Sequence, residues 1–209
     1  HLIEVNVMLG AKILEASIKN KVNLFVNTDS LLPRGINDYS LSKRHFSEWL
    51  KSRSHLINII NFRIEHMYGP EDDPNKFVGW LINKMLDSKT DKIELTSGIQ
   101  RRDFIYIDDV VDAFALVIEK QNQLNAWTEL DLATQNFISV KEFILKLANQ
   151  LETLKKNEIQ KKLKFGVLAY RSGEIMEPIL NDTTLKNLGW EPKYNIIEGI
   201  NKLVNSISE

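Results

Sequence analysis

The sequence predicts an α/β fold with a parallel sheet, and three observations lead there. Two short apolar runs, Val22 to Asn27 and Ile57 to Phe62, have the length and composition of buried strands. The stretches 2–19 and 39–53 around them carry helical spacing, and strands that alternate with helices need crossover connections, which favour parallel neighbours. The third observation is local. The first strand closes on Asn27-Thr28-Asp29-Ser30, a polar tip at a strand C-terminus, where open α/β sheets hold their ligands.

Taken in order, residues 2–19 place Leu2, Val5, Leu9, Ile13, Ala16 and Ile18 on an apolar stripe, with Lys12, Glu15 and Lys19 elsewhere. The strand at 22–27 and the helix at 39–53 follow, and the second strand is succeeded by a break at Gly69-Pro70. Beyond it the texture changes to a polar loop, Glu71 to Asn75, a helix near 76–88 and a short strand at 93–95. Here, beyond Gly69, the chain is expected to leave the first lobe. A helix over 110–120 and a strand at 130–132 come next, and Ser139 with Glu142 three residues on has the pattern of a capping box. The Lys/Glu/Gln-rich stretch 152–162 reads as a solvated helix end. Helical pieces around Thr183 and Ile197 follow a short strand at 163–167.

Composition narrows the function classes. A chain of 209 residues that is 43% apolar can bury one substantial core with a smaller lobe attached. The 27 basic and 28 acidic residues leave a net charge of −1 and no basic field, so neither nucleic acid nor an anionic membrane surface is an expected partner. There is no cysteine, so thiolate and disulfide chemistry are excluded, and no metal ligand set is expected. The apolar runs fall short of the ~18 residues of a membrane span, and the first residues lack a signal-peptide pattern, so the expected setting is the cytoplasm.

The chemistry concentrates at Tyr39-Ser40-Leu41-Ser42-Lys43. A spacing of four sets a phenol and an ammonium one helical turn apart on one face, so the lysine charge can draw the phenol toward a proton-transferring range. The spacing alone is common in helices. Its position after a strand with a hydroxyl-bearing tip, and three further segments, give it meaning.

Asn61 to Pro70 resembles the Arg-x-x-Asn-x-Tyr-Gly-Pro stretch of the extended short-chain dehydrogenase/reductases that modify nucleotide sugars, the NAD-dependent epimerase/dehydratase family. Arg102-Asp103-Phe104-Ile105-Tyr106-Ile107-Asp108-Asp109 is similar to that family's Arg-Asp-Phe-x-x-Val-x-Asp signature. Tyr170 to Glu174, with Leu188-Gly189-Trp190-Glu191-Pro192, is similar to its closing arginine loop and Leu-Gly-Trp-x-Pro segment. The resemblance implies the C-terminal part of a Rossmann-like, doubly wound parallel sheet with a smaller α/β substrate-binding lobe. Residues 1–70 would belong to the dinucleotide-binding domain, with some later segments returning to it, and 71–209 mainly to the substrate lobe.

By the same resemblance Tyr39 transfers the proton, Lys43 holds the nicotinamide ribose of NAD or NADP and tunes Tyr39, and Ser30 bonds the substrate oxygen, with Thr28 in its place if the loop is shifted. Asn6, Arg63 and His66 would contact the cofactor. His66, Asn75, Lys76, Phe77, Arg102, Arg171 and Glu174 would contact a nucleotide-diphosphate sugar, the two arginines at the diphosphate and Glu174 at the nucleotide ribose. Asp103 and Asp109 are read as structural. A homodimer through helices 2–19 and 39–53 is the implied assembly.

Four departures matter. No Gly-x-x-Gly-x-x-Gly cradle for the cofactor pyrophosphate occurs here, so it is expected in roughly 80–100 residues preceding His1, and these 209 residues are expected to be inactive alone. The dehydratase branch carries an acid pair after its catalytic threonine; with Ser30 in the catalytic place, Leu31 and Leu32 stand there, which speaks against 4,6-dehydration. The Ser30-to-Tyr39 loop is short, and His66 replaces the family's asparagine. The resemblance is greatest to the 4-ketoreductase branch that includes CDP-abequose synthase. It implies NAD(P)-dependent reduction or epimerisation at C4 of a nucleotide-linked deoxysugar for polysaccharide synthesis. A non-catalytic dinucleotide or nucleotide-sugar binder is the alternative of a different class.

Overall fold

The computed structural model describes residues 1–156, 158–178, 180 and 182–207. A π-helical turn, Glu4–Leu9, leads into α1 (Gly10–Lys19), followed by β1 (Leu24–Ser30), α2 (Asp38–Arg53), β2 (Asn58–Ile64), β3 (His66–Tyr68) and α3 (Phe77–Leu86). Then come β4 (Ile93–Glu94), β5 (Arg101–Tyr106), α4 (Ile107–Glu119), β6 (Trp127–Leu132) and β7 (Phe137–Ser139). The last are α5 (Val140–Lys155), β8 (Leu163–Lys164), α6 (Thr184–Asn187) and α7 (Ile196–Ser206). Two compact units result. One comprises residues 1–65, 111–133 and 180–191, the other residues 66–110, 134–179 and 192–209.

In the first unit β1, β2 and β6 form a parallel sheet with β2 in the centre. Ile59, Ile60 and Phe62 of β2 are buried, as a strand flanked on both edges requires, and Phe62 stacks on Phe114 at 4.1 Å. Leu14, Phe46, Leu50, Ile57 and Ile59 join α1 and α2 to that sheet. The helical reading of residues 2–19 needs one amendment, because Glu4–Leu9 takes the wider π turn. That turn brings Asn6 to Ser42 of α2, with Nδ2 donating to Oγ at 2.9 Å, and packs Val7 on the Leu14 cluster.

The second unit holds a three-stranded sheet in which β5 lies between β3, parallel, and β7, antiparallel, together with the β4–β8 pair. Its core gathers around Phe104 and Phe143, stacked at 3.8 Å, with Tyr68 edge-on to Phe143; such pairs add about 0.5–1.5 kcal/mol beyond their buried area. Ser139 caps α5 by accepting from Glu142 N at 3.0 Å, while the Glu142 carboxylate turns outward to Lys146. The 152–162 stretch differs from a simple solvated helix end, since Ile159, in a 3₁₀ turn, is fully buried in the core.

Candidate active site

The helix that carries Tyr39 and Lys43 starts where its cap dictates. Asn37 Oδ1 accepts from Ser40 N at 2.8 Å and Ser40 Oγ accepts from Asn37 N at 3.3 Å, a reciprocal pair that fixes α2 to begin at Asp38. Tyr39 therefore sits in the first turn, 39% exposed, and Lys43 one turn on, its Nζ 5.9 Å from the Tyr39 ring centroid. Lys43 Nζ donates to the Thr28 carbonyl at 2.9 Å, which ties the helix to the C-terminal end of β1. Burial pushes the Lys43 ammonium below the ordinary lysine range, and the Asp29 carboxylate draws it partly back.

Thr28 and Ser30 share one face of β1 by strand alternation. Their hydroxyls differ in circumstance. Ser30 Oγ accepts from Leu32 N at 3.1 Å in a tight turn, whereas Thr28 is exposed beside the Lys43 anchor. Tyr39, Lys43 and Thr28 are thus brought together, with Ser30 two residues beyond. Asp29 faces the other way and is 7% exposed; it accepts from Ser30 N at 2.8 Å and from Asn61 Nδ2 at 3.2 Å.

Beneath this corner lies a polar network that the sequence reading passed over. Cross-strand register aligns Asn27, Asn61 and Glu129 in one row and Asp29, Arg63 and Asp131 in the next. Asn61, fully buried, accepts from Asn27 Nδ2 at 2.6 Å, and its own amide lies 3.2 Å from Ser47 Oγ and 3.1 Å from Glu129 Oε2. Arg63 is occupied here as well, its Nε donating to Asp131 at 2.7 Å and its Nη1 3.2 Å from Glu129. Burial raises the Asp131 carboxyl despite that pairing. The signal was Asn61 inside the apolar run of β2, opposite the polar end of β1.

In the second unit, Arg102 forms an ion pair with Glu174 and donates to the Ile175 carbonyl at 2.7 Å. Arg171 is exposed on a turn closed by Glu174 N donating to Arg171 O at 3.1 Å, with Gly173 at φ +76° in the position that needs left-handed backbone. His66 opens β3 with its ring 5.7 Å from Phe104. Asn75 is folded onto Asp73, Lys76 pairs with Asp72 at 3.0 Å, and Phe77 begins α3, partly exposed. Asp103 accepts from Thr134 N and Oγ1, and Asp109 from Lys193 N and Tyr194 N, so both hold backbone together.

A family model described as NAD dependent epimerase/dehydratase matches residues 1–128. CDP-abequose synthase of Salmonella typhimurium is 32% identical over 212 aligned residues, which take in 98% of this chain and 69% of that protein. The chain belongs to the NAD dependent epimerase/dehydratase family. Solved structures agree on the fold. The UDP-glucose 4-epimerase of Thermus thermophilus, determined with NAD, superposes with a TM-score of 0.75 at 21% identity over 98% of this chain and 70% of its own. The Thermotoga maritima UDP-glucose 4-epimerase, determined with UDP-glucose, gives 0.77 at 22% identity, covering 99% and 70%. These relatives carry the Rossmann-like architecture of extended short-chain dehydrogenase/reductases, and this family member is an enzyme of that type that modifies nucleotide sugars. Among the described residues no helix is long and apolar enough to cross a membrane.

The corner suits a nicotinamide cofactor in one respect that can be tested on the residues themselves. Lys43 uses one of its three donors on Thr28 O, and the others are available to ribose hydroxyls next to an exposed phenol.

Proposed function

We propose that this protein is an NAD(P)-dependent 4-ketoreductase of a nucleotide-linked deoxysugar. The observation that carries the reading is the joining of Tyr39, Lys43 and Thr28 at the end of β1 in a chain 32% identical to a CDP-abequose synthase along almost its whole length. When bound, the reduced nicotinamide supplies a hydride. Tyr39 gives its phenolic proton to the ketone oxygen as the alcohol forms, and the Lys43 charge stabilises the phenolate left behind. Thr28 donates a hydrogen bond to the same oxygen. It is favoured over Ser30 because its carbonyl is the Lys43 anchor, while the Ser30 oxygen is held by Leu32 N.

Arg102 and Arg171 hold the diphosphate and Glu174 the nucleotide ribose, in keeping with the exposed Arg171 turn. Dehydration is disfavoured: with Thr28 in the hydroxyl place the following pair is Asp29 and Ser30, of which only Asp29 is acidic, and its carboxylate is committed to Asn61 and Ser30 N. The exposed apolar side chains Leu2, Ile3, Val5, Leu9 and Ile13, with Leu41 and Trp49 of α2, support a homodimer contact.

The test is to mix the native gene product with nucleotide-linked 4-keto-6-deoxysugars and NADPH or NADH. Stoichiometric oxidation of the nicotinamide is expected. Interconversion of C4 epimers with no net oxidation would replace the reading by an epimerase, and nucleotide-sugar binding without any turnover would replace it by a binding module.

A further inference from the structure

Tyr170 stands one residue before Arg171, and the reading above gives it no role. Its hydroxyl lies 2.6 Å from Ser97 Oγ and accepts from Ile99 N at 3.1 Å. The turn that receives it, residues 96–100, is itself fixed. Gly98 O accepts from Lys141 N at 2.8 Å and Gln100 O from Val140 N at 3.0 Å, which fastens the turn to the start of α5. Gly98 adopts φ +69°, and a Cβ there would stand 2.9 Å from Lys141 Cβ.

On the far side of Arg171 the chain is held again. Glu174 pairs with Arg102, Ile175 O accepts from Arg102, and Met176 O accepts from Arg101 N at 2.8 Å. Arg171 thus occupies a four-residue turn fastened at both ends, and at the entry end the phenol supplies two side-chain bonds to the 96–100 turn. We propose that Tyr170 is a positioning residue for diphosphate recognition: seated in the 96–100 turn, its hydroxyl sets where the Arg171 guanidinium reaches. The inference rests on the proposed role of Arg171 at the diphosphate.

The experiment is calorimetric titration of the native gene product with CDP, UDP and dTDP and with the parent nucleosides. Tyr170→Phe keeps the ring and removes the two bonds. It is expected to weaken nucleoside diphosphate binding about threefold to tenfold, with the thermal midpoint and the affinity for the nucleoside unchanged. Ser97→Ala should act in the same direction by a smaller factor. In an Arg171→Ala background, Tyr170→Phe should have no further effect. Weakening of nucleoside and nucleoside diphosphate alike, or an equal loss in the Arg171→Ala background, would mean a merely structural tyrosine and overturn the proposal. If Arg171→Ala weakens binding and Tyr170→Phe does not, the positioning role alone fails. If Arg171→Ala is itself silent, the diphosphate reading falls and the positioning role with it.

Discussion

The corner around Lys43 and the 171–174 turn beside Arg102 both fix a cation in place, and they do so by different means. Lys43 is placed by regular structure: a capped helix start, one helical turn, and a parallel strand whose carbonyl receives its ammonium. Arg102 lies on strand β5, and Arg171 on a turn whose two ends are tied by bonds that cross roughly seventy residues of sequence, from Ile99 N to Tyr170 and from Arg102 to the Ile175 carbonyl. On the proposed reading, proton transfer rests on local regular structure and nucleotide recognition on contacts between distant segments.

The largest effect belongs to the regular corner. Tyr39→Phe should lower kcat by roughly 10²–10⁴-fold while nucleotide binding stays at the parent value, since only the transferred proton is lost. A smaller loss, of about 10²-fold, is expected for Thr28→Ala, against at most severalfold for Ser30→Ala. The reverse ranking would return the hydroxyl role to Ser30 and show that the Leu32 turn opens in the complex.

Next in size is a stability effect in the 96–100 turn. Gly98→Ala combines a left-handed backbone with a Cβ 3.0 Å from Lys141 N and should cost about 1–3 kcal/mol in urea denaturation, with diphosphate affinity lowered as well. Retention of full stability would show that the 96–100 turn is not the rigid seat described above.

The smallest effect is a pH shift. The relay needs Lys43 charged, so the rate falls as pH rises through its pKa, which burial places below the ordinary lysine value. Asp29 raises that pKa, so Asp29→Asn should carry the alkaline limb of the rate profile to lower pH. A limb that stays in place or moves up would separate Asp29 from the relay.

Much of the regular corner was legible in the sequence because its determinants are local. Tyr39 and Lys43 are four residues apart, the β1 and β2 runs are apolar and short, and the Ser139 cap lies directly before its helix. The network under the corner was not, because Asn61 has the look of an interruption in an apolar run until the sheet register sets it beside Asn27 and Glu129. Strand β5 was read only as a motif. Its opening Arg101-Arg102-Asp103 breaks any strand alternation, and those side chains are satisfied by Phe137 O, Glu174 and Thr134, far away in the chain. Arg63, expected at the cofactor, pairs with Glu129 and Asp131 across the sheet, contacts that no local pattern announces.

The most direct test of the account follows an isotope. A nucleotide-linked 4-keto-6-deoxysugar is incubated with the native gene product and a nicotinamide deuterated at its hydride position, and the product is read by NMR. Deuterium at sugar C4, lost with Tyr39→Phe, is the predicted result. A product without deuterium at C4, or undiminished labelling by the Tyr39→Phe protein, would contradict it.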